Sequence, residues 1–279
     1  MVKRGLHSRE KRVNGARALV TGGSSGMGLE YSRQLAAMGY DLVIVSNREE
    51  ELAAAAAQLT GDGGEVSGPE PPAVTVTTHF QDLSQADSAD ELFRWYMDLF
   101  GEAPDVFINN AGMFFFKEIL PEDLPSVEAM LNLHITTTTR LTVLFGAEMK
   151  KRGSGRILNV SSMASRIPAP GITIYSATKA YLRNFGISYW FELRPYGVSL
   201  TTVCPAAIAT PLYRLDPKLM RFGVRIGLIQ TPRSLVRKAL RAMYHGRRIL
   251  SPGFMNIWLP PLVHILPAPL EAAIWKRLR

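Results

Sequence analysis

A glycine-rich turn between a strand and a helix constrains the fold more than any other feature of the sequence. An apolar run at residues 16–21 leads into the pattern Thr21-Gly-x-x-x-Gly26-x-Gly28, and a helical pattern follows to Met38. Glycines let the backbone approach a phosphate closely, and the first turn of a helix offers free N–H groups to the anion. The spacing differs from the more common Gly-x-Gly-x-x-Gly. A purely structural turn would need fewer glycines, so the pattern predicts a phosphate-binding turn.

Strands and helices alternate along the rest of the chain. Short apolar runs predict strands, and helical patterns separate them. This alternation is typical of βαβ units, which build a parallel sheet with helices on both faces. We therefore expect a single-domain α/β fold, a Rossmann-type doubly wound parallel sheet in three α/β/α layers. The predicted strands are 16–21, 41–46, 73–78, 105–108, 156–160 and 198–204.

Composition divides the chain into three parts. Residues 1–15 form a basic arm, residues 16–251 carry the alternating elements, and residues 252–279 form an apolar, proline-rich tail with a basic end. With 47% hydrophobic and 20% charged residues, the chain can bury a large core. The prolines in the tail exclude one long helix there.

The single cysteine, Cys204, excludes an internal disulfide framework and fits a reducing compartment. It lies in an apolar strand pattern, so we expect it in the core. Residues 1–17 are polar and basic and lack the apolar centre of a secretory signal. No stretch of ~18 uninterrupted apolar residues is found. We therefore expect a cytoplasmic protein, with peripheral contact at a membrane surface as the alternative.

The net charge of +8 is concentrated at the two ends of the chain. Residues 1–17 carry +5 and residues 246–279 carry +4, so the remainder is close to neutral at −1. A nucleic-acid-binding domain would spread its basic residues over a folded face among aromatic residues. We therefore expect no nucleic-acid partner. Two basic ends favour peripheral membrane contact, in which the apolar tail takes part, or serve solubility alone.

Tyr175 and Lys179 are four residues apart in the pattern Tyr175-Ser-Ala-Thr-Lys179, so a helix places them side by side. A free phenol has a pKa of ~10, and a neighbouring cation lowers that pKa because it favours the phenolate. The pair therefore predicts a general acid at neutral pH. The alternative is an ordinary solvated pair of the kind found on many helices.

Four motifs in this order make the chain similar to the short-chain dehydrogenase/reductase family over residues 16–251. They are the glycine turn, Asn109-Asn-Ala-Gly112, a serine 13 positions before the tyrosine, and Tyr175-x-x-x-Lys179. More loosely, the chain resembles ketosphingoid and 3-ketoacyl reductases among the bacterial members. The resemblance implies an oxidoreductase that interconverts a ketone and a secondary alcohol with a nicotinamide cofactor.

The resemblance also implies a catalytic tetrad of Asn132, Ser162, Tyr175 and Lys179. Tyr175 is expected to protonate the substrate carbonyl oxygen while hydride arrives from the nicotinamide, and Ser162 to hold that oxygen. Lys179 is expected to lower the pKa of the phenol and to bind the nicotinamide ribose. Asn132 would anchor a water molecule in a proton relay. Ser161 lacks the family spacing, so we expect it to serve the turn.

In a dinucleotide-binding fold, the residues at the end of the second strand distinguish NADP(H) from NAD(H). The chain has Ser46-Asn47-Arg48 there and no carboxylate until Glu49, which favours NADP(H), with NAD(H) as the alternative. The resemblance implies a set of residues that bind the cofactor. These are Thr21, Gly22, Ser24, Ser25, Gly26, Met27, Gly28, Asn47, Arg48, Asp82, Leu83, Asn109, Ala111, Gly112, Tyr175, Lys179, Pro205, Ile208 and Thr210.

One motif departs from the family pattern. The family usually has Pro-Gly after the sixth strand, whereas this chain has Pro205-Ala206, so we expect an altered loop near the nicotinamide. His79 and His134 have no partner pattern, and we expect both to be ordinary core or surface histidines. No metal site is expected.

Two apolar segments indicate the class of substrate. Residues 206–230 are apolar with interspersed basic residues, and residues 113–116 read Met-Phe-Phe-Phe. A small polar substrate would not need such a lining. We therefore expect a lipophilic carbonyl compound, either a long-chain 3-keto compound or a steroid-like ketone. The alternative is that residues 206–230 pack on their own protein.

The sequence leaves open the oligomeric state and three alternative functions. The resemblance implies a homodimer or homotetramer that assembles through the helices at residues 122–152 and 175–194. The rivals are a non-catalytic dinucleotide sensor or scaffold, an NAD-linked alcohol dehydrogenase, and a membrane-surface adaptor that uses the basic ends. The tail at residues 252–279 could cover the substrate cleft, a second subunit or a membrane.

Overall fold

The computed structural model describes residues 15–60, 74–206 and 230–278. Within these ranges, the centre of the fold is a parallel sheet of seven strands in the order β3-β2-β1-β4-β5-β6-β7. The strand order reverses direction between β1 and β4. The strands are β1 (Arg17–Thr21), β2 (Asp41–Ser46), β3 (Val76–Phe80), β4 (Val106–Asn109), β5 (Gly155–Val160), β6 (Val198–Val203) and β7 (Ile249–Leu250).

Helices connect the strands and cover both faces of the sheet. The described helices are α1 (Gly26–Ala37), α2 (Glu49–Thr60), α3 (Ser88–Phe100), α4 (Leu124–Leu131), α5 (Thr138–Arg152), α6 (Thr173–Leu193), α7 (Pro232–Tyr244), α8 (Met255–Ile265) and α9 (Ala268–Leu278). Residues 1–14 of the predicted basic arm and nearly all of the apolar segment at 206–230 lie outside the described residues.

Side chains of the strands alternate between the two faces of the sheet. In β1, Ala18 and Val20 pack in one core with α1, α2 and α7, whereas Leu19 packs in the other with α3, α5 and α6. A strand covered on both faces is buried along its whole length, which is why the strand sequences are continuous apolar runs. The predicted three-layer, doubly wound α/β fold is confirmed.

The structure departs from the predicted elements at the edges of the sheet and in the tail. β3 lies at Val76–Phe80 instead of 73–78, because it pairs with β2 as far as Phe80 opposite Ser46. α7 and β7 were not predicted. The tail forms α8, which contains Pro260 and Pro261, and α9, and the two helices are bent by 108°. None of the described helices alone is long and apolar enough to cross a bilayer, and α8 and α9 reach that length only as a bent pair.

A wider turn interrupts the helical region predicted at 122–152. α4 ends at Leu131, α5 begins at Thr138, and Asn132–Thr137 between them form a π-helical turn. Such turns change which side chains face inward, and they are frequent at functional sites. Here His134 points into the protein and is completely buried.

Candidate active site

A cleft of about 720 Å³ opens at the carboxyl ends of the strands. It runs from the glycine turn after β1 past the ends of β2 and β4 to the residues that follow β5 and β6. The cleft therefore lies where the strand order reverses. Open parallel sheets bind their ligands at this point, and the volume is within the range of ligand sites.

The glycine turn after β1 forms one wall of the cleft. Gly22 and Gly26 have φ values of 63° and 53°, in the left-handed region that glycine adopts without strain. A Cβ atom at position 28 would lie 1.8 Å from the carbonyl oxygen of Gly22, so only glycine fits there. Because the first amides of α1 lack intrahelical partners, the turn is suited to a phosphate group.

The turns after β1 and β4 hold each other in place. The hydroxyl oxygen of Thr21 accepts the N–H groups of Asn110 and Ala111, each at 3.1 Å. The side-chain amide of Asn110 donates to the carbonyl oxygens of Thr21 and Gly22 at 3.1 and 3.2 Å. The wall of the cleft between these two strands is therefore rigidly connected.

Most residues predicted to bind the cofactor line this cleft. Thr21 and Gly28 lie behind the wall and shape the turn through the contacts above. Ile208 and Thr210 lie outside the described residues. The predicted residues that line the cleft are Gly22, Ser24, Ser25, Gly26, Met27, Asn47, Arg48, Asp82, Leu83, Ala111, Gly112, Tyr175, Lys179 and Pro205.

The prediction for Asn109 needs correction. Its side chain is buried in the core, where it donates to Asn159 Oδ1 at 3.1 Å and to Thr142 Oγ1 at 3.0 Å. Asn110 lines the cleft instead. Successive side chains at the end of a strand point to opposite sides, so only one of two adjacent asparagines can face the ligand.

Arg48 and Glu51 face each other at the outer end of the cleft, and both line it. Nη1 of Arg48 lies 2.5 Å from Oε1 of Glu51. Burial raises the pKa of Glu51, but hydrogen bonds from Arg48 and Ser25 outweigh it and hold that pKa below its ordinary value. The sequence interpretation considered carboxylates only as far as Glu49. The helical spacing of three residues between Arg48 and Glu51 is the signal that would have found this second carboxylate.

Ser162, Tyr175 and Lys179 come together at the inner end of the cleft. All three are nearly buried, with exposed fractions of 6%, 5% and 4%. Nζ of Lys179 lies 5.7 Å from the centre of the Tyr175 ring and donates to the carbonyl oxygen of Val160 at 3.1 Å. The hydroxyl oxygen of Ser162 accepts the N–H of Ala164 at 3.1 Å, so its own hydrogen can be donated into the cleft.

Burial sets the charge state of Lys179. It lowers the pKa of the ammonium group from 10.5 to about 8, because a buried site disfavours the cation. The group therefore stays largely protonated at pH 7, beside the phenol. Ser161 supports this part of α6, since its hydroxyl donates to the carbonyl oxygen of Lys179 at 2.7 Å.

The structure does not bring Asn132 into the wall of the cleft. It lies half-buried at the start of the π-helical turn. The side chain that reaches the site from this turn is that of His134. Its Nε2 accepts the N–H of Met113 at 3.1 Å, and its Nδ1 lies 2.9 Å from Oγ1 of Thr178. The resemblance did not indicate His134, because a π-helical turn changes which side chains of a helix face inward.

Apolar side chains line the inner end of the cleft. Met113, Phe114 and Leu133 lie in its wall, and Phe114 meets the ring of Tyr175 edge-on with ring centres 4.9 Å apart. Further out, the ring of Phe116 lies 6.0 Å from that of Trp275 in α9. The tail therefore lies beside the segment that follows β4.

The tail is also hydrogen-bonded to the residues around Ser162. Asn256 donates to the carbonyl oxygen of Cys204 at 3.0 Å and receives a bond of 2.9 Å on Oδ1 from Arg166, which lies in the short helical turn after Ser162. Cys204 is buried as expected, and Ala206 is buried beside it. The start of the tail thus helps to order the turn beside the cleft.

Known proteins are similar in sequence to this chain. The family profile of short chain dehydrogenases matches residues 16–218. The very-long-chain 3-oxoacyl-CoA reductase of Ajellomyces capsulatus is 29% identical over 252 residues, which cover 87% of this chain and 68% of that protein. The 3-oxoacyl-[acyl-carrier-protein] reductase of Synechocystis sp. is 33% identical over 196 residues, which cover 70% of this chain and 75% of that protein.

A solved structure shares the architecture as well. The short-chain dehydrogenase from Sphingobium yanoikuyae in complex with NADPH superimposes with a TM-score of 0.72 at 26% identity, covering 91% of this chain and 97% of that one. The glycine turn, the cleft and the Tyr–Lys pair lie within the residues that the family profile matches. The chain therefore belongs to the short-chain dehydrogenase family and is an oxidoreductase that acts on CH–OH and C=O groups.

Proposed function

We propose that this protein is an NADP(H)-dependent reductase of a lipophilic ketone, either a long-chain 3-keto compound or a steroid-like ketone. The observation that carries the proposal is the convergence of Ser162, Tyr175 and Lys179 beside the apolar wall of Met113 and Phe114. Two relatives are named as reductases of 3-oxoacyl compounds, which supports the 3-keto assignment. Reduction is the direction that NADPH drives in cells.

The cleft is suited to a nicotinamide dinucleotide by its own construction. At position 28 a side chain would collide with the carbonyl group of Gly22, so glycine there keeps the turn closely packed behind the wall that a pyrophosphate would contact. We propose that the amides of Ser25 and Gly26 hold the pyrophosphate and that Asp82 lies beside the adenosine. When bound, the cofactor supplies the hydride that is added to the carbonyl carbon.

Tyr175 is the proposed general acid. Reduction builds negative charge on the carbonyl oxygen, and donors aimed at that position from Tyr175 and Ser162 stabilise it. The phenol then transfers its proton to the oxygen and is left as a phenolate. The ammonium group of Lys179, 5.7 Å from the ring centre, favours the phenolate and so makes the phenol a stronger acid. Burial of both residues strengthens this interaction.

The preference for NADP(H) rests on Arg48. A guanidinium group binds a phosphate with two parallel hydrogen bonds, and Arg48 lies at the outer end of the cleft. Glu51 complicates the assignment, because it pairs with Arg48 and is itself a carboxylate able to accept a ribose hydroxyl. An NAD-linked alcohol dehydrogenase is therefore the second candidate function.

Replacing Arg48 with alanine is expected to raise the KM for NADPH at least tenfold and to leave the KM for NADH nearly unchanged. The change removes a charge-assisted contact to the 2′-phosphate worth about 1.5 kcal/mol or more. Steady-state kinetics with both cofactors measures it. The matched control is Glu51→Gln, which releases Arg48 and should not weaken NADPH binding. Tighter binding of NADH that Arg48→Ala does not affect would favour the NAD-linked candidate.

The substrate class is tested by chain length. Each methylene buried against the apolar wall contributes about 0.8 kcal/mol, so a long-chain 3-keto thioester is expected to exceed a 3-ketobutyryl thioester in kcat/KM by roughly 100-fold. NADPH oxidation measures both, with steroid ketones and ketosphingoid bases assayed in parallel. Equal values for the short and long chains would mean that the apolar segments pack on their own protein, and the lipophilic assignment would be wrong.

We propose that the tail at residues 252–279 touches a membrane surface peripherally. One side of α8, together with Phe254 just before it, presents large apolar groups to solvent, and Lys276 and Arg277 lie in the last turn of α9. Apolar faces flanked by cations bind anionic lipid interfaces. Co-sedimentation of the intact protein with anionic and neutral vesicles tests this, and recovery in the supernatant with both would reject it. The apolar residues are Phe254, Ile257, Trp258, Leu262 and Ile265.

We also propose a cytoplasmic homodimer or homotetramer that assembles through α4, α5 and α6. Tyr181, Phe185 and Tyr189 stack along one side of α6, and Phe191 on the same helix is 55% exposed. Aromatic side chains of this kind are enriched at interfaces. Sedimentation equilibrium of the full chain measures the state, and a monomer at micromolar concentration would reject the proposal. No nucleic-acid partner is proposed.

A further inference from the structure

The side chain of His134 is hydrogen-bonded to two segments of the chain that contribute residues to the site. It is completely buried in the π-helical turn between α4 and α5. One ring nitrogen, Nε2, is bonded to the backbone N–H of Met113 in the segment after β4, and the other, Nδ1, to Oγ1 of Thr178 in α6. The imidazole therefore connects the inner wall of the cleft with the helix that bears Tyr175 and Lys179.

The hydrogen bonds determine which nitrogen of the ring carries the hydrogen. The N–H of Met113 can only donate, so Nε2 must be the unprotonated acceptor. Nδ1 therefore carries the hydrogen and donates it to Oγ1 of Thr178, whose own hydrogen is donated to the carbonyl oxygen of Tyr175 at 2.8 Å. A protonated ring would place a second N–H against that of Met113. Burial and the nearby charge of Lys179 agree with this, since both lower the pKa of His134 well below its ordinary value.

The two segments that His134 joins touch the reacting groups directly. A Cβ atom at Gly112 would lie 3.2 Å from Nε2 of His134 and 3.7 Å from Nζ of Lys179, so both nitrogens flank this glycine. Two residues further on, Phe114 meets the ring of Tyr175 edge-on. Thr178 lies next to Lys179 in the sequence and one helical turn after Tyr175. A shift of either segment would therefore move the phenol relative to the ammonium group.

We propose that His134, held in the neutral form with its hydrogen on Nδ1, is a positioning residue that sets the phenol of Tyr175 and the ammonium group of Lys179 in their catalytic arrangement by joining Met113 to Thr178. This inference rests on the catalytic roles proposed above for Tyr175 and Lys179. It assigns to His134 the place in the site that the family resemblance implied for Asn132.

The first test compares two substitutions of His134 in the full-length protein. His134→Leu removes both hydrogen bonds, and we expect kcat per NADPH-binding site to fall roughly 30-fold, with the KM for the ketone changed less than threefold. His134→Gln keeps an acceptor near the position of Nε2 and is expected to recover kcat to within about fivefold of the wild type. A role in stability alone would lower the melting temperature and leave kcat per binding site unchanged.

The second test uses a pair of matched threonines and does not depend on the folding of the His134 variants. Thr178 and Thr142 each donate to a backbone carbonyl oxygen in the preceding helical turn and are bonded to a buried side chain, that of His134 or Asn109. Thr178→Val is expected to lower kcat roughly tenfold, whereas Thr142→Val should destabilise the protein without lowering kcat per binding site. A double-mutant cycle between positions 134 and 178 should show strong coupling.

Several results would overturn the inference and leave the proposed function intact. These are an unchanged kcat per site in both His134→Leu and Thr178→Val, equal losses in Thr178→Val and Thr142→Val, or additive effects in the cycle. A different result would show that the proposed function itself is wrong, because Tyr175→Phe would then be as active as the wild type. NADPH binding, measured by fluorescence in every variant, supplies the number of sites.

Discussion

Replacing Tyr175 with phenylalanine is expected to lower the rate of ketone reduction roughly 1,000-fold while NADPH still binds. The substitution removes the proton donor and keeps the ring, so the edge-on contact with Phe114 and the packing of the buried side chain are retained. Without that proton, the developing alkoxide has to draw on solvent that the site largely excludes. Single-turnover oxidation of NADPH measures the rate, and cofactor fluorescence measures binding.

The control for this experiment is Tyr181→Phe. Tyr181 lies on the exposed side of the same helix and its hydroxyl accepts a hydrogen bond from Thr139, away from the cleft. Activity of Tyr181→Phe should equal that of the wild type. A Tyr175→Phe protein that keeps more than a tenth of the wild-type rate would remove Tyr175 from the role of acid. A wild-type protein that binds NADPH and reduces none of the ketones would instead indicate the non-catalytic sensor or scaffold.

Replacing Lys179 with alanine is expected to damage both turnover and cofactor binding. We expect kcat to fall roughly 100-fold or more, because the phenol loses the cation that strengthens it as an acid. The dissociation constant of NADPH should rise roughly tenfold, because the ammonium group is proposed to bind the nicotinamide ribose. Equilibrium binding and single-turnover rates separate the two effects. A loss of turnover with unchanged NADPH affinity would show that Lys179 does not serve the ribose.

The pKa of Lys179 adds a pH dependence to this prediction. Burial lowers that pKa to about 8, so the ammonium group is charged below this pH and neutral above it. Without the cation the phenol is a weaker acid, and the rate of reduction should therefore fall as the pH rises through about 8. In Lys179→Ala the remaining activity should lack this decline. The same decline in both proteins would assign it to another group.

Much of the fold could be predicted from the sequence, because strands buried on both faces and helices with a glycine turn between them are encoded by residues close together in the chain. β1 and β2 match the predicted ranges to within one residue. β3 was misplaced because its end depends on pairing with β2, not on its own composition. The two-residue β7 carries too little pattern to be found, and it exists because β6 offers a free edge.

In the candidate site, too, the features encoded by residues close in the chain could be predicted, and those that depend on the fold could not. Tyr175, Lys179 and the glycine turn follow from spacing within a single helix or turn. The resemblance implied that Asn109 binds the cofactor, and only the direction of β4 shows that Asn110 is the asparagine that faces the cleft. Glu51 was missed although it lies on the same helical face as Arg48.

The proximity of Tyr175 and Lys179 was determined by the sequence alone. A spacing of four residues on a helix places two side chains together wherever that helix lies. The glycine turn was also determined by the sequence alone, because Gly22 and Gly26 adopt left-handed φ values and a Cβ atom at Gly28 would collide with the carbonyl oxygen of Gly22 within the turn itself. The identity of the side chain that reaches this part of the site from the turn between α4 and α5 was decided only by tertiary structure. A π-helical turn and the packing of α6 against the segment after β4 put His134, and not Asn132, against Met113 and Thr178, and no local pattern records how elements distant in sequence meet.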